Sequence, residues 1–62
     1  MKIRIKLYAN NAYVLFERTT PSGYYDLRVY DRVGYLIDRV RCDDYKTALD
    51  YYKSFQAIAR NA

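Results

Sequence analysis

Apolar and polar residues alternate through most of the first forty positions. Between Lys2 and Tyr8, Ile3, Ile5 and Leu7 fall on one side and Lys2, Arg4, Lys6 and Tyr8 on the other, the period of two that predicts a strand with one buried face. Ala9, Asn10 and Asn11 follow, and asparagine tolerates the left-handed backbone that a tight turn needs. Tyr13 to Arg18 is again rich in β-forming residues, so a hairpin is expected. A second break, Thr19-Thr20-Pro21-Ser22-Gly23, combines a proline preset for an early turn position with a glycine free to take positive φ. Tyr24 to Tyr30 then alternates, with Tyr25, Leu27 and Val29 opposite Tyr24, Asp26, Arg28 and Tyr30. Asp31-Arg32-Val33-Gly34 predicts a turn and Tyr35 to Arg41 a fourth strand. The phase of that strand is open, because Asp38 shares a side with Leu36 and Val40, and a bulge near Gly34 would shift it.

The period changes after Cys42. Asp43 or Asp44 suits a helix N-cap, where a carboxylate accepts an unpaired backbone N–H and its charge meets the positive end of the helix dipole. Downstream, Ala48, Tyr51, Tyr52, Phe55, Ile58 and Ala59 keep the spacing of one apolar helical face, with Leu49 and Tyr45 at its margin. That face is expected to cover the sheet side bearing Ile3, Ile5, Leu7, Val14, Phe16, Leu27, Val29 and Val40, with Asn61 and Ala62 fraying. The predicted fold is α+β: an antiparallel meander of three to four strands and one C-terminal helix packed on one face, in the order ββββα. The 62 residues leave room for a single domain, with the sheet over about residues 2–42 and the helix over about 44–60.

Composition narrows the chemistry. The chain has one cysteine, Cys42, so an internal disulfide is excluded, a reducing cytoplasm is the expected compartment, and the thiol is expected to act as a small buried hydrophobe. No apolar run approaches the ~20 residues needed to cross a bilayer. There is no histidine, one cysteine cannot build a zinc site, and Gly23 and Gly34 lie too far apart to cradle a phosphate. Asp43 and Asp44 are explained by capping. A protein that is not an enzyme, without metal or cofactor, is expected. The net charge of +4 falls entirely on residues 1–42, which carry eight basic and four acidic side chains; from Asp43 onward, three of each cancel. The sheet would therefore favour an anionic partner.

If Ile3, Leu7, Val14 and Leu27 face the helix, the other sheet face presents Tyr8, Tyr13, Tyr24, Tyr30 and Tyr35 among Lys2, Arg4, Lys6, Arg28, Arg39 and Arg41. Tyrosine pairs across strands and charges on an edge are ordinary devices of stability and solubility. An uncovered, amphipathic face of this size is also a surface that proteins use. Tyrosine and arginine anchor protein interfaces, and arginines outnumber lysines seven to four. Tyr8, Tyr13, Tyr24, Arg28, Tyr30, Tyr35 and Arg39 are the expected contacts to a protein or nucleoprotein complex. The alternative is direct binding of DNA or RNA through the same face, with Arg28, Arg39 and Arg41 on phosphates and the rings on bases. A small sheet backed by a helix resembles, in architecture, plant AP2-type and phage integrase arm-binding domains, although Glu17 and Asp26 would interrupt a phosphate track. So short a domain also leaves homodimerisation through an exposed sheet edge as an expectation.

The segment Asp43-Asp44-Tyr45-Lys46-Thr47-Ala48-Leu49 leading into a closing helix, in a short tyrosine-rich chain, resembles small phage-encoded inhibitors of host machinery, including anti-CRISPR proteins. That resemblance implies an inhibitor acting in the host cytoplasm. Many such inhibitors imitate DNA with acidic surfaces, whereas this chain is basic. Steric docking on an acidic patch, or on a complex already holding nucleic acid, is then the implied mode.

Overall fold

A computed structural model of the chain describes residues 2–19 and 23–62, without the side chain of Lys2. Thr20, Pro21 and Ser22 of the expected second loop lie outside the described residues. Four strands, β1 (Lys2–Leu7), β2 (Tyr13–Arg18), β3 (Tyr25–Tyr30) and β4 (Leu36–Cys42), precede the helix α1 (Tyr45–Arg60). The strands form one antiparallel sheet in sequence order, so the ββββα meander expected from the alternation is the fold.

Turn chemistry sets the registers. After β1, the Tyr8 N–H donates to the Ala12 carbonyl and the Asn11 N–H to the Tyr8 carbonyl, each at 2.9 Å, with Asn11 in the left-handed region at φ 70°. The turn before β4 repeats this plan. The Asp31 N–H donates to the Tyr35 carbonyl at 2.9 Å, the Gly34 N–H donates to the Asp31 carbonyl at 3.0 Å, and the left-handed position is Gly34 at φ 93°. In both, a three-residue loop ends on a residue that tolerates positive φ. Asp31 also accepts the Val33 and Tyr35 N–H groups through its carboxylate.

The helix begins at Asp44, whose extended backbone and side chain, accepting from the Thr47 N–H and hydroxyl at 2.9 Å, make it the N-cap. Its other end is tied to the first hairpin: the Asn10 amide donates to the Ala59 carbonyl at 2.9 Å and the Ala62 carbonyl at 3.2 Å, while its oxygen accepts from the Ala12 N–H. The regular helix ends at Arg60, and Asn61, exposed beyond it, donates to the Ile58 and Ala57 carbonyls. Ala48, Phe55 and Ala59 are buried against Ala12, Val14, Leu27 and Val29. Alanines at two contact points bring the helix close to the sheet, and Phe16 meets Tyr52 edge-on at 5.5 Å. Tyr51, expected on the covered face, is exposed.

Two expectations about faces change. The helix lies over β2, β3 and β4 and does not reach β1. In β1 the register pairs Ile3, Ile5 and Leu7 with Glu17, Leu15 and Tyr13, and Arg4 and Lys6 with Phe16 and Val14. The apolar side of β1 is therefore on the open face, 54, 61 and 66% exposed, and Arg4 and Lys6 are on the helix side. In β4 the bulge expected near Gly34 forms at Ile37: Val29 pairs with Asp38 but Tyr30 with Leu36. The bulge releases Leu36 to the open face and so parts it from Asp38, which stays on the helix side with Val40 and Cys42 and remains exposed there.

Candidate functional site

The open face can be read as three rows running from β1 to β4. One row is Leu7, Tyr13, Tyr30 and Leu36; the next is Ile5, Leu15, Arg28 and Arg39; the last is Ile3, Glu17, Asp26 and Arg41. The β1 edge and the first row are apolar or aromatic, and the opposite corner is charged. Tyr13 and Tyr30 stack across the strands with centroids 4.6 Å apart and planes at 19°.

The charged corner is organised by Asp26. Only 2% of this residue is exposed, although no element covers the face, because arginine side chains lie over it. Arg39 grips both carboxylate oxygens, Nη2 at 2.8 Å and Nε at 3.2 Å, and Arg28 Nη2 donates at 3.1 Å. Arg41 stands at 3.6 Å, and Arg28 reaches Glu17 at 3.8 Å. Burial by itself would push the Asp26 carboxyl up, but the bonds from Arg39 and Arg28 and their charges outweigh it and hold the group below the usual carboxylate range. Arg28 is held more strongly protonated by the neighbouring Tyr30 side chain and then by Asp26; Arg39 is held so by Asp26.

Five of the eight expected contact residues come together here: Tyr13, Tyr30, Arg28, Arg39 and Arg41. Three do not. Tyr8 lies on the helix side, packed against the core, its hydroxyl pushed up by burial with Arg60 and Tyr52 nearby. Tyr24 and Tyr35 are exposed but stand outside the strands, Tyr24 with its carbonyl bonded to Thr19 and Tyr35 in the Asp31 turn. The apolar contributors Ile3, Ile5, Leu7, Leu15 and Leu36, and the organising role of Asp26, escape a sequence reading that assigns faces by alternation alone.

Cys42 is half-buried, and burial, followed by the charges of Asp43 and Asp44, pushes its thiol up, opposite to what activates a nucleophile. Among the described residues, no three His, Cys, Asp or Glu side chains converge as a metal site would require, and no helix is long and apolar enough to cross a membrane. No protein-family model, curated protein or solved structure matches this chain.

Proposed function

We propose that this chain is a non-enzymatic docking module that seats a protein partner on its open sheet face, in the manner of a small phage-encoded inhibitor. The observation that carries this is the composition of the face: an exposed apolar column, Ile3, Ile5 and Leu7, continuous with the Tyr13–Tyr30 stack and bordered by Arg39 and Arg41. An apolar and aromatic area beside exposed arginines has the composition of a protein interface, where aromatic side chains and arginine are the enriched anchors. The complementary surface would be an apolar strip flanked by carboxylates, which Arg41, 58% exposed and the most loosely held of the three arginines, is free to meet. A phosphate backbone is served less well by this face, since Arg28, Arg39 and Arg41 share it with Glu17 and Asp26 and leave a net charge of +1 (three minus two).

The test compares affinity capture from a candidate host's lysate by the wild-type chain, by Ile5→Asp/Leu15→Asp, and by Arg4→Ala on the opposite side. A protein retained by the wild type and Arg4→Ala, and lost with the double variant, is the expected result. Capture unchanged by the double variant would remove the open face from consideration. A concentration-dependent dimer dissolved by that variant would assign the face to a second copy instead.

A further inference from the structure

Among the described residues, two arginines without an acidic partner lie together on the other side of the sheet; Arg32, in the turn before β4, and Arg60, at the helix end, also make no ion pair but stand apart from them. Among the described residues, Arg4 and Arg18 make no ion pair, in contrast to the three arginines around Asp26. They lie over the part of the sheet that the helix leaves uncovered, where Arg4 pairs with Phe16 and Arg18 with Tyr25. With Ile3, Phe16, Tyr25 and Tyr45 they line an open cleft of about 250 Å³. The Arg18 guanidinium sits 5.6 Å from the Tyr25 ring centre, and the Tyr25 and Tyr45 rings are 5.6 Å apart. Tyr45, half-exposed at the first turn of the helix, leaves ring surface open to solvent. No carboxylate lines the cleft; the nearby Asp44 is turned to Thr47.

Two cations without counter-ions beside a free aromatic face call for a ligand that carries both phosphate and a flat ring. The cleft is smaller than the ~300–1,000 Å³ of a drug-sized ligand site, a size that suits a single flat ring set beside Tyr45. Arg4 and Lys6 lie two residues apart on the same side of β1, roughly 6.8 Å along the strand, a spacing that neighbouring phosphates of a stretched single strand can follow. We propose that the helix-side ledge of β1 is a single-stranded nucleic-acid site, with Arg4 and Arg18 holding phosphate oxygens, Lys6 continuing the track and Tyr45 stacking on a base. This site lies on the opposite side of the sheet from the open face, meeting it only at Ile3 on the β1 edge, and does not rest on the docking function assigned there.

Fluorescence anisotropy with a labelled twelve-nucleotide oligothymidine, at about 50 and 200 mM salt, tests it. Micromolar binding at low salt that weakens steeply at high salt is expected. Arg4→Ala/Arg18→Ala should weaken it at least tenfold and flatten the salt slope by roughly 1.4, from two contacts at about 0.7 each. Tyr45→Ala should cost about tenfold, while Arg41→Ala on the opposite face should cost under about twofold. Circular dichroism confirms that each variant is folded, and Arg4→Lys/Arg18→Lys, which keeps both charges, should bind nearly as the wild type does. The proposal is overturned by no binding at low salt, by an equal loss with Arg41→Ala, by equal affinity for a duplex of the same length, or by equal displacement with polyglutamate.

Discussion

Asp26 is the second residue of β3, buried on a face that no other element covers, and its hydrogen-bond partners are the side chains of its own sheet. A carboxylate so placed is stable only while it stays ionised and gripped. Because its folded pKa is depressed, the contribution is present above the unfolded value near 3.9 and is lost as pH falls through the lower folded value. Asp26→Asn removes the charge and keeps the shape, leaving Arg28, Arg39 and Arg41 crowded together. It should cost on the order of 1–3 kcal/mol at neutral pH, the range for hydrogen bonds to a charged group with allowance for the partly exposed arginines. Urea unfolding of both proteins between about pH 3 and 7 checks this. The difference between the two curves should shrink toward acid, and the difference isolates Asp26 from Asp44, which is also held low by its bonds to Thr47. A difference that does not change with pH would mean that the asparagine acts through packing. Cys42 supplies a second residue-scale expectation. With its thiol pushed up by burial and two flanking carboxylates, it should alkylate slowly near pH 8 in the native protein and several times faster in urea, as followed by mass spectrometry.

Among the elements, β1 shows what a sequence can and cannot reveal. Its alternation identifies a strand, and the β3 alternation identifies both a strand and the correct sides, because Leu27 and Val29 fall under the helix. For β1 the side is decided elsewhere, by the number of residues in the first turn and by the reach of the helix. Leu7 pairs with Tyr13, so odd residues of β1 face odd residues of β2, and the buried Val14 shares its side with Lys6. A single residue more or less in the Ala9-Asn10-Asn11 turn would reverse this. The Ile37 bulge in β4 is illegible for the same reason: only the clash between Leu36, Asp38 and Val40 hints at it. Helix boundaries and the cap are legible because Asp44 and the apolar spacing after it are local signals. Asn10 is not, since its bonds to the helix end span 49 and 52 residues of sequence. The face assignment is testable by charge insertion. Ile5→Lys should shift stability by no more than about 0.5 kcal/mol, as for an exposed position, whereas Val14→Lys should unfold the protein. Tyrosine near-ultraviolet circular dichroism distinguishes the two; loss of signal in Ile5→Lys would place β1 back under the helix.

For the molecule as a whole, coverage by the helix is the limiting quantity. One helix of 16 residues covers three of the four strands, so burial is concentrated on a few side chains while the fourth strand is held by backbone pairing to β2. Among the described residues, only Leu27, Val14 and Val29 are large and fully buried, with Phe55 close to it. Such a core leaves roughly 3–5 kcal/mol of net stability in a domain of this length. Leu27 lies at the centre, paired with Phe16 and Val40, and a leucine-to-alanine truncation in a packed core costs about 2–5 kcal/mol. These ranges overlap, so Leu27→Ala should leave a substantial unfolded population at 25 °C in the absence of denaturant. A urea titration would then begin inside the transition, without a native baseline. A full native baseline would mean that the Phe16–Tyr52 and Tyr25–Tyr45 contacts around the core carry more of the stability than their partial burial suggests. Phe16, Tyr25 and Tyr45 border the Arg4–Arg18 cleft, so in that case the same aromatic cluster would both hold the helix to the sheet and shape the ligand site, and Tyr45→Ala would have to be judged by its melting temperature before its binding.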